Sequence, residues 1–188
     1  MAVAVPVVRG RWGRRISNEE ALMSNAARGV LYVHSAPSAL CPHVEWAVVD
    51  ALGVPTPLPW RPQPAEPGTY RAEVTWRHEV GSAAACASRM RGWERVRFEI
   101  TEEPTATTEG ARYSYTPSLG IFHAAVGQHG DVVVHEDRLR AATARAAAGE
   151  GSLAEEIDAL LGRRWDDELE VFRHAGEGAP VRWLNQVG

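Results

Sequence analysis

The chain is organised around residues Gly29 to Gly53, which read GVLYVHSAPSALCPHVEWAVVDALG. Val30 to Val33 is a short run of β-branched and aromatic residues, which predicts a strand, and the Ser/Pro/Ser segment after it predicts a loop. Pro42 predicts the start of a helix with Cys41 at its N-cap, because proline suits the first helical turn and keeps the preceding residue out of helical angles. Gly53 predicts the left-handed cap that ends this helix.

A proline-rich stretch follows, in which only residues 58–61 suit a strand, and the prolines restrict that strand to the edge of a sheet. A second strand–helix unit comes after this stretch. Apolar and polar residues alternate over residues 70–77 and 95–101, which predicts two strands with one solvent-exposed face. Small apolar residues predict a helix between them, over residues 82–91. The order strand, helix, edge strand, strand, helix, strand predicts a ferredoxin-like split βαβ sandwich over residues 29–101. The fold class is therefore α+β.

Further elements extend this core. Added strands are predicted within residues 110–135, including a hairpin around the turn at residues 127–130. Residues 136–188 are predicted as a helical extension, with helices at about 136–147, 153–161 and 165–174. Ser152 and Glu155 have the spacing of a capping box, and Gly162 is a plausible helix stop.

The composition of the 188-residue chain favours a cytoplasmic protein with no membrane segment. It carries a net charge of −4, and its 20 basic residues are all arginine, as a high-GC coding sequence favours. The two cysteines, Cys41 and Cys86, are far apart and are expected to be thiols. The negative charge argues against a nucleic-acid partner.

The first residues differ from the rest in lacking a sustained helical or strand period. Residues 1–22 are predicted to be a disordered extension or to follow a mis-assigned start, since Met23 stands just before the first strand. Residues 23–188 are then expected to form a single α+β domain.

Four polar residues are the candidate catalytic site: His34, Cys41, His43 and Glu45. They are expected to converge on one strand-to-helix loop, a favoured place for sites. A helix N-terminus favours a thiolate, and His34 is placed to act as its base, as a cysteine nucleophile requires. The alternative is structural: Cys41 is a small buried residue, His34 bonds to the backbone, and Glu45 complements the helix dipole.

Other ligand classes have less support. The spacing His-x6-Cys-x-His matches no established zinc site, so no metal and no cofactor are predicted. The wet strand face resembles a platform for anions or nucleic acid, but its central positions lack the aromatics that stack on bases. Its members are Tyr32, Arg71, Thr75, Arg77, Arg95 and Arg97.

Seven tryptophans are a high number for a chain of this length. Trp46, Trp60, Trp76 and Trp93 flank the predicted strands and helices, where core packing is their expected use. An exposed pair would instead mark an interface or an acyl-binding groove.

Three segments resemble a known family. They are GVLYVHSAPSALCPHVEWAVVDALG, RYSYTPSLGIF at residues 112–122, and GRRWDDELEVFR at residues 162–173. Together they are similar to a domain of unknown function found mainly in high-GC Gram-positive bacteria, and the resemblance runs from Met23 to the C-terminus. It implies no activity and no site residue.

Two hypotheses on function follow. The first is an accessory or regulatory protein that acts by binding a protein or a small ligand, because the sequence has no nucleotide-binding, serine-hydrolase or zinc-protease motif. The second is a thiol-dependent enzyme or acyl-handling protein that uses Cys41 with His34 and His43.

Overall fold

A twelve-residue strand, β1 (Ala26–Pro37), lies near the middle of the sheet and pairs antiparallel with a neighbour on each side. The computed structural model of the protein describes residues 26–53 and 55–174. The predictions for residues 1–22, for the start at Met23 and for the end of the helical extension lie outside these ranges.

The described residues form one seven-stranded sheet and five helices, an α+β arrangement. The sheet order is β2-β3-β1-β4-β5-β6-β7, and each neighbouring pair is antiparallel. The other strands are β2 (Arg61–Pro62), β3 (Thr69–Glu79), β4 (Arg97–Glu102), β5 (Gly110–Thr116), β6 (Gly120–Val126) and β7 (Val132–Val133). The helices are α1 (Cys41–Leu52), α2 (Ser82–Met90), α3 (Glu136–Ala147), α4 (Leu153–Leu161) and α5 (Arg163–His174).

β1 differs from its prediction in length and in where it ends. The Ser/Pro/Ser segment does not break the strand, because a bulge after Val33 absorbs one extra residue and pairing resumes at Ser35 and Ala36. One 3-10 turn, Ser38–Leu40, then leads into α1, whose N-cap is Leu40 and not Cys41. The helix ends as predicted at Gly53, which has φ of 66°.

The hydrophobic core lies between one face of the sheet and helices α1 and α2. Every third or fourth residue of α1 is buried there, and the small side chains of α2 allow this helix to approach the sheet closely. Gly29 on β1 shows how tight the packing is, because a Cβ atom added to it would lie 1.8 Å from the carbonyl oxygen of Thr101. The main core side chains are Leu31, Val33, Val44, Val48, Met90, Phe98 and Ile100.

Helix α5 covers part of the opposite face of the sheet, where it contacts β1 and β5. Its Leu169 is fully buried, and Trp165 donates a 2.9 Å hydrogen bond to the carbonyl of Gly120. The guanidinium of Arg97 lies 4.5 Å from the ring centre of Phe172. Around Arg97, helix α5 therefore covers the sheet face that was predicted to be a solvent-exposed platform.

Helices α3 and α4 pack against each other and start where the predictions placed them. Ser152 and Glu155 form the predicted capping box, and Gly162 caps α4 with φ of 80°. Among the helices described, none has the length and apolar content that crossing a membrane requires.

Candidate functional site

Cys41 and His34, expected at one rim, lie on opposite faces of the sheet. The sulfur of Cys41 belongs to the core beside α1 and contacts the carbonyl oxygen of Pro37 at 3.5 Å. The ring of His34 lies on the α5 side, with Nε2 2.7 Å from a carboxylate oxygen of Glu99. The expected convergence is wrong, because β1 directs Val33 and Ala36 into the core and His34 away from it.

The environment of Cys41 disfavours a nucleophile. Burial raises the pKa of its thiol, the nearby Glu45 carboxylate raises it further, and a backbone hydrogen bond offsets only part of this rise. The lowering expected from the helix N-terminus is therefore wrong in direction. The catalytic role assigned to Cys41 with His34, His43 and Glu45 stays a prediction, and no contact within this group supports it in the described chain.

Glu45 and His43 have separate surroundings. Glu45 accepts a 2.9 Å hydrogen bond from the indole of Trp60 and a longer one, 3.4 Å, from the backbone of Leu58, so it ties the proline-rich stretch to α1. His43 is exposed in the first turn of α1, and its ring meets Trp46 edge-on at 5.0 Å.

A buried ionic cluster, made of Glu99, Asp166, Arg112 and Arg173 with His34 and Ser114, joins the sheet to α5. Glu99 is only 2% exposed, and its carboxylate is the centre of the cluster. It accepts hydrogen bonds from Arg112 at 2.8 Å, Ser114 at 3.1 Å and Arg173 at 2.7 and 3.0 Å, beside the contact with His34. Asp166 bonds to both guanidinium groups.

The electrostatics of this cluster fit a structural role. Burial alone would raise the pKa of Glu99, but the hydrogen bond and charge of His34, with the charges of Arg112 and Arg173, hold it well below its usual range. Glu99 and Asp166 each pair with both guanidinium groups, so each of these four charges has a partner of opposite sign. The cluster fixes α5 on the sheet and leaves no reactive group exposed.

A shallow groove of about 520 Å³ opens at the start of α1. Its lining residues are Leu40, His43, Trp93, Glu94 and Arg95. The first two belong to the turn into α1 and its first helical turn, and the other three to the connection between α2 and β4. This groove brings one of the predicted site residues, His43, together with one segment that is distant in the sequence, residues 93–95.

Trp46 contacts one of the residues that line the groove, His43, and is not itself one of the five lining residues. It is 65% exposed and contacts His43, whereas Trp76 is 5% exposed in the core. The prediction that these tryptophans serve the core is thus wrong for Trp46, which follows the exposed face of α1. Trp60 and Trp93 are half-buried, so Trp46 is the single exposed member of these four tryptophans and the exposed pair expected of an interface is not formed by them.

Sequence reasoning missed the roles of Glu99, Arg112, Arg173 and Trp93. Glu99 and Arg112 stand at polar positions of alternating strands, which is the sequence pattern that could have indicated them. Arg173 on α5, which bonds to Glu99, comes from a distant part of the chain. Among the described residues, no three or more histidine, cysteine or acidic side chains form a group that could hold a metal ion.

Fold and site together define an α+β protein with a buried structural ion cluster and an open aromatic groove. The chain belongs to the family described as protein of unknown function (DUF3145), which matches residues 30–186. The resemblance to a family of unknown function is confirmed at this level. No curated protein and no solved structure matches the chain.

Proposed function

We propose that the protein is a non-enzymatic accessory protein that binds an exposed segment of another protein in the groove at the start of α1. The observation that carries this proposal is the 65% exposure of Trp46 beside His43, a residue that lines the groove. Tryptophan and arginine are the residues that most often dominate binding energy at protein interfaces, and Arg95 lines the same groove.

The state of the polar residues favours binding over catalysis. The imidazole of His34 is engaged with Glu99, and the thiol of Cys41 is only 9% exposed with a raised pKa. A thiol enzyme needs an accessible thiolate, and the burial and raised pKa of Cys41 both disfavour one.

The shape of the groove favours a protein segment over a small ligand. Small-molecule sites enclose most of the ligand surface, whereas this groove is shallow and open to solvent. Leu40 and Trp93 offer apolar contact, and Glu94 and Arg95 offer one charge of each sign. The partner that fits is a peptide segment with an apolar or aromatic side chain flanked by charged residues.

We also propose a fold family, a cellular compartment and a source for the chain. The order β2-β3-β1-β4, with α1 and α2 packed on one face, supports a ferredoxin-like origin for the first part of the sheet. The composition and the resemblance support a cytoplasmic protein of high-GC Gram-positive bacteria.

The test is quantitative affinity purification of the tagged full chain at native expression level, with Trp46→Ala and a matched control, Val171→Ala. Val171 is 64% exposed on α5, so both changes remove an exposed apolar side chain. Truncating a central interface residue costs about 2 kcal/mol or more, roughly a thirty-fold loss of affinity.

We therefore expect Trp46→Ala to lose a partner that the wild type and Val171→Ala both recover. Equal recovery by all three proteins would exclude the groove as the binding site. Circular dichroism of the two variants should match that of the wild type, since neither side chain belongs to the core.

A further inference from the structure

A second exposed surface lies on helices α3 and α4, well separated in the sequence from the groove. Among the described residues, seven large apolar side chains are exposed, and four of these are on the two helices. Leu153, Ile157 and Leu161 recur every fourth residue and so share one face of α4. Their exposures are 47%, 39% and 40%, and that of Leu139 on α3 is 43%.

Helix α3 is nearly uncovered. Of its twelve residues only Ala142 is buried, although helices in proteins owe most of their stability to packing. The Arg145–Glu156 ion pair joins α3 to α4 along one side of the helix pair. Successive residues of a helix are about 100° apart, so Leu139 and Ile157 lie away from Arg145 and Glu156 on their helices. The exposed apolar side chains therefore form a stripe on a different side of the helix pair from this ion pair.

We propose that this face is an isologous interface, in which α3 and α4 pack on the same helices of a second copy of the chain. With the two-fold axis along the helix pair, α3 of one copy lies over α4 of the other and antiparallel to it. The resulting four-helix arrangement is the ordinary way in which two helix pairs bury their apolar stripes.

Charge complementarity favours a second copy in this orientation. Helix α3 carries three arginines and two acids, a net charge of +1, whereas α4 carries three acids and no base, a net charge of −3. The two-fold arrangement places the basic helix against the acidic one. Packing α4 on α4 would instead bring six acids together, which like-charge repulsion disfavours.

The pairing that the geometry assigns across the axis is Arg140 with Asp158. The Arg140 side chain is 76% exposed, and its pair with Glu136 is an exposed contact within one helix, which is weak and easily exchanged. Asp158 has no ion-pair partner among the residues that the structure describes. Both lie on the outer flank of the apolar stripe by helical spacing.

The size of the face sets the expected strength. Helices of twelve and nine residues are about 18 and 14 Å long, so the face is smaller than the roughly 800 Å² that each partner buries in a standard stable interface. The dimer is therefore expected to be reversible and to dissociate on dilution.

The experiment is sedimentation equilibrium of the full chain over a concentration series. We expect the wild type to dimerise as concentration rises, Ile157→Asp to stay monomeric, and Val171→Asp, also an exposed apolar position, to dimerise like the wild type. Trp46→Ala should also dimerise normally, which separates this proposal from the one on the groove.

A charge exchange tests the orientation. Arg140→Asp and Asp158→Arg should each weaken self-association at least five-fold, and mixing the two variants should restore a heterodimer. A wild type that stays monomeric up to about 1 mM, or an Ile157→Asp variant that dimerises normally, would overturn the proposal. Dimerisation without rescue by the exchanged charges would refute the assigned orientation.

Discussion

Replacing Glu99 by glutamine tests the structural role of the buried ionic cluster. The change keeps the shape of the side chain but removes the negative charge that Arg112, Arg173 and His34 share. The two guanidinium groups would then share Asp166, and Arg173 would also keep its contact with the half-exposed Glu170. We therefore expect the fold to persist and its stability to fall.

The magnitude follows from burial. Removing one partner of a buried, hydrogen-bonded ion pair costs about 3–5 kcal/mol, because an uncompensated charge stays in a medium of low polarity. Glu99 is 2% exposed and accepts hydrogen bonds from both guanidinium groups, so we expect Glu99→Gln to lower the free energy of unfolding by an amount within this range. Small proteins have about 5–15 kcal/mol of stability, so a loss of this size removes a large fraction of it and is readily measured.

The assay is equilibrium unfolding in urea, with Glu103→Gln as the matched control. Glu103 pairs with Arg28 at the surface, where both side chains are about half or more exposed, so its loss should cost less than about 1 kcal/mol. A loss for Glu99→Gln that is no larger than the loss for Glu103→Gln would refute the structural role of the cluster.

Three further predictions concern titration, reactivity and packing. The fold lowers the pKa of Glu99, so its ionised carboxylate stabilises the fold above the unfolded pKa of about 4.3, and this stabilisation is lost as pH falls through the lower folded pKa. The free energy of unfolding should therefore fall more steeply with decreasing pH for the wild type than for Glu99→Gln. Iodoacetamide should label Cys41 in the native protein more slowly than free cysteine at pH 7, and Cys86, whose pKa burial raises to about 11, more slowly still; rapid labelling of Cys41 would restore the thiol hypothesis. Gly29→Ala should lower the free energy of unfolding by about 3 kcal/mol, the upper end of the usual cost of overpacking, because its Cβ would lie 1.8 Å from a backbone oxygen. Gly151→Ala, whose added Cβ would meet nothing closer than 3.5 Å, should change it little, and thermal unfolding of the two variants checks this.

The order of strands and helices was readable from the sequence because local patterns decide it. Alternation in residues 70–77, the spacing in α1 and the cap at Gly53 each reflect which side chains a sheet and its helices bury. The bulge in β1 was not readable, since it depends on how two neighbouring strands accommodate one extra residue. That extra residue decides the faces on which Ser35 and Ala36 lie, and it returns Ala36 to the core.

The site was harder to predict than the fold for the same reason. Proximity in sequence suggested that His34, Cys41 and Glu45 act together, but each has its partner elsewhere: Glu99, the Pro37 carbonyl and Trp60. The cluster around Glu99 and the groove beside Trp46 both join segments from different elements. Single-sequence patterns carry no information on such distant contacts.

The proposed function needs the aromatic groove and does not need the thiol of Cys41. The most direct test compares the amount of partner recovered with Trp46→Ala and with Cys41→Ser, in which the hydroxyl can keep the hydrogen bond to Pro37. We expect Cys41→Ser to recover the partner at the wild-type level and Trp46→Ala to lose it. Loss with Cys41→Ser and full recovery with Trp46→Ala would show that the thiol, and not the groove, is needed for binding.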